Sequence, residues 1–351
     1  MALAGYSIIL DGQDLGEPER DLSGAIGPRL ISLSIAEKRG GEADQLDVVI
    51  HDHDGTMALP AEGARLRVSL GWTAGADVPL GLVDKGSFTV DEVEYSGPPD
   101  IITIRARSAD FASAYRVRRE RSHRQTTLGA VIRRIASENG LEARISADLA
   151  GIQIPVLAQD QKSDMALVHE LGRQHDAIAT VKAKRLIFSR IGSGTTATGR
   201  AIPAGTITRG ENDRFSYRRV ERAQYDGVEA RWHDQDNAKR ETVKVAAPTA
   251  AGGGPSRGRR GDREVKRLPK VYHSEASARS AADAESRRSK RAGAEMDYDL
   301  ASGRPDLFPD RPIRVTGFKP EIDAKSWLIA EATHTLDAGG GLKTKLKLET
   351  Q

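Results

Sequence analysis

Over its first hundred residues the chain alternates apolar and polar positions with a period of two. Ile31, Leu33 and Ile35 are separated by Ser32 and Ser34; Leu46, Val48 and Ile50 keep the same spacing; Leu66, Val68, Leu70 and Trp72 alternate with Arg67 and Ser69. This spacing turns one face of each segment toward a core and the other toward a polar setting, which predicts strands. Tyr6 to Leu10 supplies another. From Phe88 and Val90 the apolar phase jumps to Val93 and Tyr95, as a one-residue bulge would make it do. Ile102, Ile104 and Ala106 complete the set. Short strands separated by Gly, Pro and Asp, with no helical pattern between them, predict a small antiparallel β-barrel over residues 1–118 rather than a βαβ layout.

The pattern changes near residue 118. Leu128, Val131, Ile132, Ile135 and Ala136 recur at helical spacing, with Thr126 or Thr127 as N-cap and Gly140 as the stop. A second helix starts at Ser163, carries Asp164 in its first turn, turns Leu167, Val168 and Leu171 inward and fades near Asp176. Ile178 to Ser189 reads as a hairpin, so residues 119–190 are expected to form an α+β domain. Strand patterning returns after residue 205 and reaches Val228, Ala230 and Trp232. Residues 246–264 are rich in Gly, Pro, Ser and Arg and predict a disordered linker. Residues 274–293 predict an Ala-rich helix with acids early and bases late.

Laid beside each other, two stretches of the chain match in order. Arg67-Val68, Gly71-Trp72, Ser87 to Glu92 and the strand from Ile101 correspond to Arg314-Val315, Gly317-Phe318, Ser326 to Glu331 and the strand from Leu342. The phase jump recurs as well: Trp327 and Ile329 are followed by Ala332 and His334 at the offset that separates Phe88 and Val90 from Val93 and Tyr95. A second barrel is therefore expected from residues 191–232 plus 305–351, interrupted by an insertion at 233–304.

Composition narrows the function classes. The 351 residues carry 53 basic and 50 acidic side chains, a net charge of +3, and no Cys. Disulfides, thiolate metal sites and Cys nucleophiles are thereby excluded, which suits a reducing compartment. No apolar run approaches the roughly 18 residues of a membrane span, and the first 20 residues lack a basic stretch followed by an apolar one. No membrane embedding and no Sec export are expected. The run His51-Asp52-His53-Asp54-Gly55 offers metal-ligand chemistry, but Asp-Gly and the nearby Pro60 mark a turn, and no distant His/Glu cluster completes a site. His169 and His175 are read as solvated helix positions and His334 as packing or hydrogen-bonding within a strand. Gly192-Ser193-Gly194 lacks the strand and helix of a nucleophile elbow, and the Gly252 to Gly254 run lacks the Lys-Ser/Thr of a phosphate loop. Asp91 and Glu92 alternate faces and do not converge. These readings predict no catalytic residues, no cofactor and no metal.

The run Pro312 to Phe318, then Ile322-Asp323, Trp327, Thr333 to Asp337, Gly339-Gly340-Gly341 and Thr344 to Glu349 resembles the phage late control D family, the tail hub proteins of contractile-tailed bacteriophages, similar in fold to the hub part of type VI secretion spikes. Gln161 to Leu167 before a helix and Lys184 to Phe188 after it extend the resemblance, which covers nearly the whole chain. It implies a homotrimer whose two barrels per subunit form a tube-like ring in the virion tail, stacked on a hexameric tail tube and seating a trimeric spike, with a tape-measure terminus as a further partner. Three copies of two similar units would let a threefold object meet a sixfold one. On that view Arg116, Arg118, Arg119 and Arg121, at a domain junction, are candidates to pair with acids of a neighbouring subunit. Lys343, Lys345 and Lys347 share one strand face that would line a lumen or meet an acidic ring, or is an ordinary solvated face. Binding of nucleic acid by the basic stretches 116–124 and 257–270 is the competing reading, though aromatics are scarce in both and no sequence-specific recognition is expected. A carbohydrate module in the α+β domain would need an aromatic platform, and none is visible.

Overall fold

The alternating residues of the first hundred positions become strands whose inward side chains are almost wholly buried: Leu33, Ile35, Leu46, Val48, Leu66, Val68 and Leu70 share one core with Phe88, Val90, Ile102 and Ala106. The computed structural model describes residues 2–11, 20–61, 63–108, 117–219, 225, 227–234, 239–246, 265–339 and 341–351. In chain order the first unit comprises β1 (Leu3–Asp11), the short β2 (Arg20–Asp21), β3 (Leu30–Lys38), β4 (Gln45–His51), β5 (Arg65–Ala74), β6 (Gly81–Ser96) and β7 (Ile101–Arg107). Hydrogen bonding orders them β3-β4-β7-β6-β5-β1, every neighbouring pair antiparallel. Ile8 of β1 reaches the same core as Leu33 of β3 although their strands lie at opposite ends of this order, so the sheet curls round on itself. Where β5 and β6 cross, Gly71 is required: an added Cβ would lie 1.8 Å from the Gly81 carbonyl oxygen. The predicted phase jump is a bulge at Asp91, between the paired residues Val90 and Glu92.

The α+β region follows, with β8 (Arg118–Thr127), β9 (Glu142–Ile145), β10 (Gln153–Ser163), β11 (Ala177–Lys182) and β12 (Arg185–Arg190). Its helices, Leu128–Glu138 and Asp164–His175, are capped as the sequence predicts: Thr127 Oγ1 accepts from the Ala130 amide at 3.2 Å and Ser163 Oγ from the Ala166 amide at 3.2 Å. Val131, Ile132 and Ile135 pack on Leu167, Val168, Leu171 and Phe188 in a separate core. The pairing of β8 with β10 is an addition to the expected hairpin β11-β12. Neither strand alternates cleanly in sequence, because β8 is made of Arg and other polar residues and leaves half of its side chains in solvent.

The second unit contains β13 (Gly205–Thr208), β14 (Arg214–Arg219), β18 (Ala294–Leu300), β19 (Pro312–Thr316), β20 (Trp327–Asp337) and β21 (Gly341–Thr350). Its order is β14-β18-β21-β20-β19-β13, which reproduces the first unit strand for strand. The bulge recurs too, at Ala330 between the paired Ile329 and Glu331. One difference is that β13 runs parallel to β19, whereas β1 runs antiparallel to β5.

Two expected boundaries shift. The segment carrying Val228, Ala230 and Trp232 is β15 (Gly227–Asp234), and it joins β16 (Lys239–Ala246) and β17 (Lys266–Tyr272) in a separate sheet rather than the second unit. Its inward Val228 and Ala230 are covered by Ala278 and Ala282 of the helix Glu275–Arg291, so a partner close in sequence takes their apolar surface. Conversely β18, expected inside the insertion, lies in the second unit because Met296, Tyr298 and Leu300 alternate into its core. The Ala-rich helix is present and begins with a capping box between Ser274 and Ser277. Nearly all of the expected linker 246–264 lies outside the described residues, Ala246 ending β16.

Candidate assembly interfaces

The two units meet edge to edge. After the bulge, β20 leaves β19 and pairs antiparallel with β3 from Glu331↔Lys38 to Asp337↔Ser32, making one 13-stranded sheet. Polar groups are buried at this seam. The Glu37 carboxylate accepts from Lys85 Nζ at 2.6 Å and lies 3.2 Å from His334 Nε2. His334 Nε2 is also 3.1 Å from the Leu307 carbonyl, and its Nδ1 is 2.9 Å from Thr344 Oγ1, which itself accepts from the Arg304 amide at 2.9 Å. Two acceptors at Nε2 and a hydroxyl at Nδ1 fit a neutral ring protonated on Nε2. Burial pushes the Glu37 carboxyl up, but the His334 hydrogen bond and the Lys85 charge outweigh it and hold it at about 2. Burial lowers both Lys85 and His334, and Glu37 offsets part of each shift.

A second ionic tie fastens the parts together. Asp176, the left-handed cap residue of the helix Asp164–His175, accepts from Arg291 NH1 at 2.8 Å; Arg291 Nε is 3.0 Å from Glu349 on β21, and Glu349 also pairs with Arg39 beyond β3. The α+β region, the inserted helix and both β-units therefore converge on one charge cluster.

The predicted interface residues separate. Arg121 NH2 lies 2.6 Å and Arg119 Nε 3.4 Å from the fully buried Asp164, and both reach Glu138. The acids they engage are thus those of their own domain. Arg118 opens β8 with its side chain exposed, and Arg116 lies outside the described residues. Lys343, Lys345 and Lys347 do share the outward face of β21, but acids flank them: Lys345 is 3.9 Å from Asp299 and Lys347 is 4.0 Å from Glu331. Of the second basic stretch, Lys266 pairs with Glu285 at 2.5 Å and Lys270 with Glu170 at 2.9 Å, which removes charge from the surface available to phosphates.

The His51–Gly55 run is a turn, as read: Arg29 clamps Asp54 with two contacts of 2.5 Å, and Asp52 accepts from the Met57 amide at 3.1 Å. Among the described residues no three His, Asp or Glu side chains come together as metal ligands. His175 departs from the solvated reading. It is buried, its Nδ1 lies 2.9 Å from Ser280 Oγ of the inserted helix, and burial lowers it to about 4. Helical spacing alone could not reveal a helix packing on it from a hundred residues away.

One β-unit is built twice and joined along its strand edges, and buried charges hold the parts together. The chain belongs to the phage tail baseplate hub family (GPD), whose model matches residues 45–340. It is 39% identical over 374 residues to a probable baseplate hub protein of Escherichia phage P2, covering 99% of this chain and 93% of that one. A probable baseplate hub protein of Escherichia phage 186 is likewise 39% identical, with 95% and 91% covered. In fold it is similar to the 43 kDa tail protein of prophage MuSo2 from Shewanella oneidensis, with a TM-score of 0.66 at 14% identity over 97% and 98% of the two chains. It is also similar to a component of the E. coli type VI secretion system described as resembling tail proteins of bacteriophage T4, with a TM-score of 0.51 at 12% identity over 97% and 76%.

Proposed function

We propose that this chain is the non-enzymatic hub of a contractile-tail baseplate, acting as a homotrimer in the virion that joins a sixfold tail tube to a threefold spike. The observation that carries this reading is the duplicated strand order, β3-β4-β7-β6-β5-β1 against β14-β18-β21-β20-β19-β13, with its duplicated bulge. Three such chains would present six near-equivalent units, so subunits of a sixfold ring would each meet a similar surface. The baseplate hub names of the phage relatives support the location. The outward face carrying Lys343, Lys345 and Lys347 would line the channel of that ring, with its flanking acids moderating the charge. Sedimentation of the purified chain, alone and with tube and spike proteins, tests the trimer: a mass of three chains is expected, and a fixed two- or fourfold assembly would overturn it. Reversing the three lysines together is expected to leave the mass unchanged and to impair DNA passage through assembled tails; unaltered infectivity would remove the channel role.

A further inference from the structure

Each unit has one strand that outruns its neighbour after the bulge, and in the second unit the seam with β3 uses it. The first unit has the same strand and no such partner among the described residues. Thr89 is the last residue of β6 in the ladder with β5, so Glu92 to Ser96 pair with β7 alone. The counterpart of β3 is β14, which among the described residues pairs with β18 alone. We propose that these two edges join between copies: β6 of one subunit pairs antiparallel with β14 of the next, repeating in trans the β20–β3 seam. This rests on the trimer reading and gives it a specific joint.

Matching the ladders of the two units fixes the register. Glu92 takes the place of Glu331, because Glu92 faces Arg105 on β7 as Glu331 faces Lys347 on β21. Tyr217 takes the place of Ile35, because Tyr217 faces Met296 as Ile35 faces Leu46. Carrying the pairs Ala332↔Glu37 to Thr335↔Ser34 across gives Val93↔Arg219, Glu94↔Arg218, Tyr95↔Tyr217 and Ser96↔Ser216. Pro98 has no amide hydrogen to continue the ladder, which ends the joint there.

Exposure and charge agree with this register. Tyr95 is 51% and Phe215 39% exposed, yet the residues in their places at the cis seam, His334 and Leu33, are both 0% exposed. Two large side chains thus stand open at positions the molecule buries where the seam is made. The β6 edge carries Asp91, Glu92 and Glu94, which contact Arg107 and Arg105 of β7, and the β14 edge carries Arg214, Arg218 and Arg219, of which Arg218 contacts Glu295 of β18; a joint between the edges would share these charges across it. The cis seam has the same polarity, with Glu331 opposite Lys38. Opposite charges favour the head-to-tail joint, while two β6 edges or two β14 edges would set like charges face to face.

The chain has no Cys, so introduced thiols report the joint directly. Glu94→Cys combined with Arg218→Cys is expected to give, on mild oxidation, a covalent trimer that reductant returns to monomer, since cross-strand Cα spacings suit a disulfide. Either single variant, and Glu94→Cys with Arg214→Cys about four residues out of register, are expected to remain uncross-linked. Glu94→Arg is expected to weaken the trimer at least tenfold, and adding Arg218→Glu to restore it. If the unmodified chain sediments as a trimer but the paired thiols do not link, the strand joint is wrong and the trimer stands. If it is monomeric at every concentration, alone and with tube and spike proteins, both fail.

Discussion

The two β-units share an order of strands and a bulge, but they fill their interiors differently. The first is packed with aliphatic side chains around Phe88 and Trp72; at matching positions the second places Met296 for Leu46, Tyr298 for Val48 and Trp327 for Phe88. Tyr217 packs edge-on to Trp327 with centroids 6.1 Å apart, and Tyr298 edge-on to Phe318 at 5.4 Å. The second unit also uses shorter strands at β13, β14 and β19, so fewer and larger side chains cover a comparable interior. What the duplication preserves is the backbone path and its one irregularity. The packing that stabilises that path was free to change.

The largest expected effect comes from deleting the equivalent aromatics. Trp327→Ala and Phe88→Ala should each cost about 3–5 kcal/mol, as for other fully buried aromatics. Because the β20–β3 seam makes the units one sheet, each variant should lower a single cooperative urea transition seen by both tryptophan fluorescence and far-UV circular dichroism. Two separated transitions would show that the units fold independently.

Breaking the buried seam ranks next. Glu37→Ala leaves Lys85 without its carboxylate in a desolvated site and is expected to cost about 3 kcal/mol. It should also change the acid response. The Glu37 carboxyl lies lower in the folded chain than its ordinary value, at about 2, so its contribution is present above the ordinary carboxylate range and lost as pH falls toward 2. Wild type should lose stability across that window and Glu37→Ala should lose less, measured as urea midpoints at successive pH values. Equal slopes would mean that the carboxylate is not held by the seam. The imidazole of His175, lowered to about 4, adds an acid loss in both proteins that begins as pH drops below its ordinary value.

The smallest effect belongs to the region between the units. Ser163→Ala removes the cap of the helix Asp164–His175 and should cost about 1 kcal/mol, without altering the sedimenting mass. A change in oligomer size would mean that the α+β region takes part in the ring.

Much of the first unit was legible in the sequence because its strands alternate and its core residues fall on one face; even the bulge showed as a phase jump from Val90 to Val93. The repeat was legible for the same reason, since Ile329 to Ala332 makes the same jump. What stayed hidden depends on contacts distant in the chain. Trp232 sits in a strand pattern whichever sheet it joins, and only the alanine face of the inserted helix decides the matter. Arg119 and Arg121 read as candidates to pair with a neighbouring subunit's acids, but Asp164, forty residues on, is the carboxylate they engage. The seam was invisible as a site, because Glu37, Lys85 and His334 have no motif spacing and meet only through the pairing of β20 with β3.

The additional residue at Asp91 and Ala330 has a topological consequence. By swinging the rest of the strand away from its first neighbour, the bulge at Ala330 frees the β20 edge that β3 takes up. Removing Ala330 would straighten that tongue toward its own wall and take away the β20–β3 ladder, leaving the Asp176–Arg291–Glu349–Arg39 cluster to tie the units.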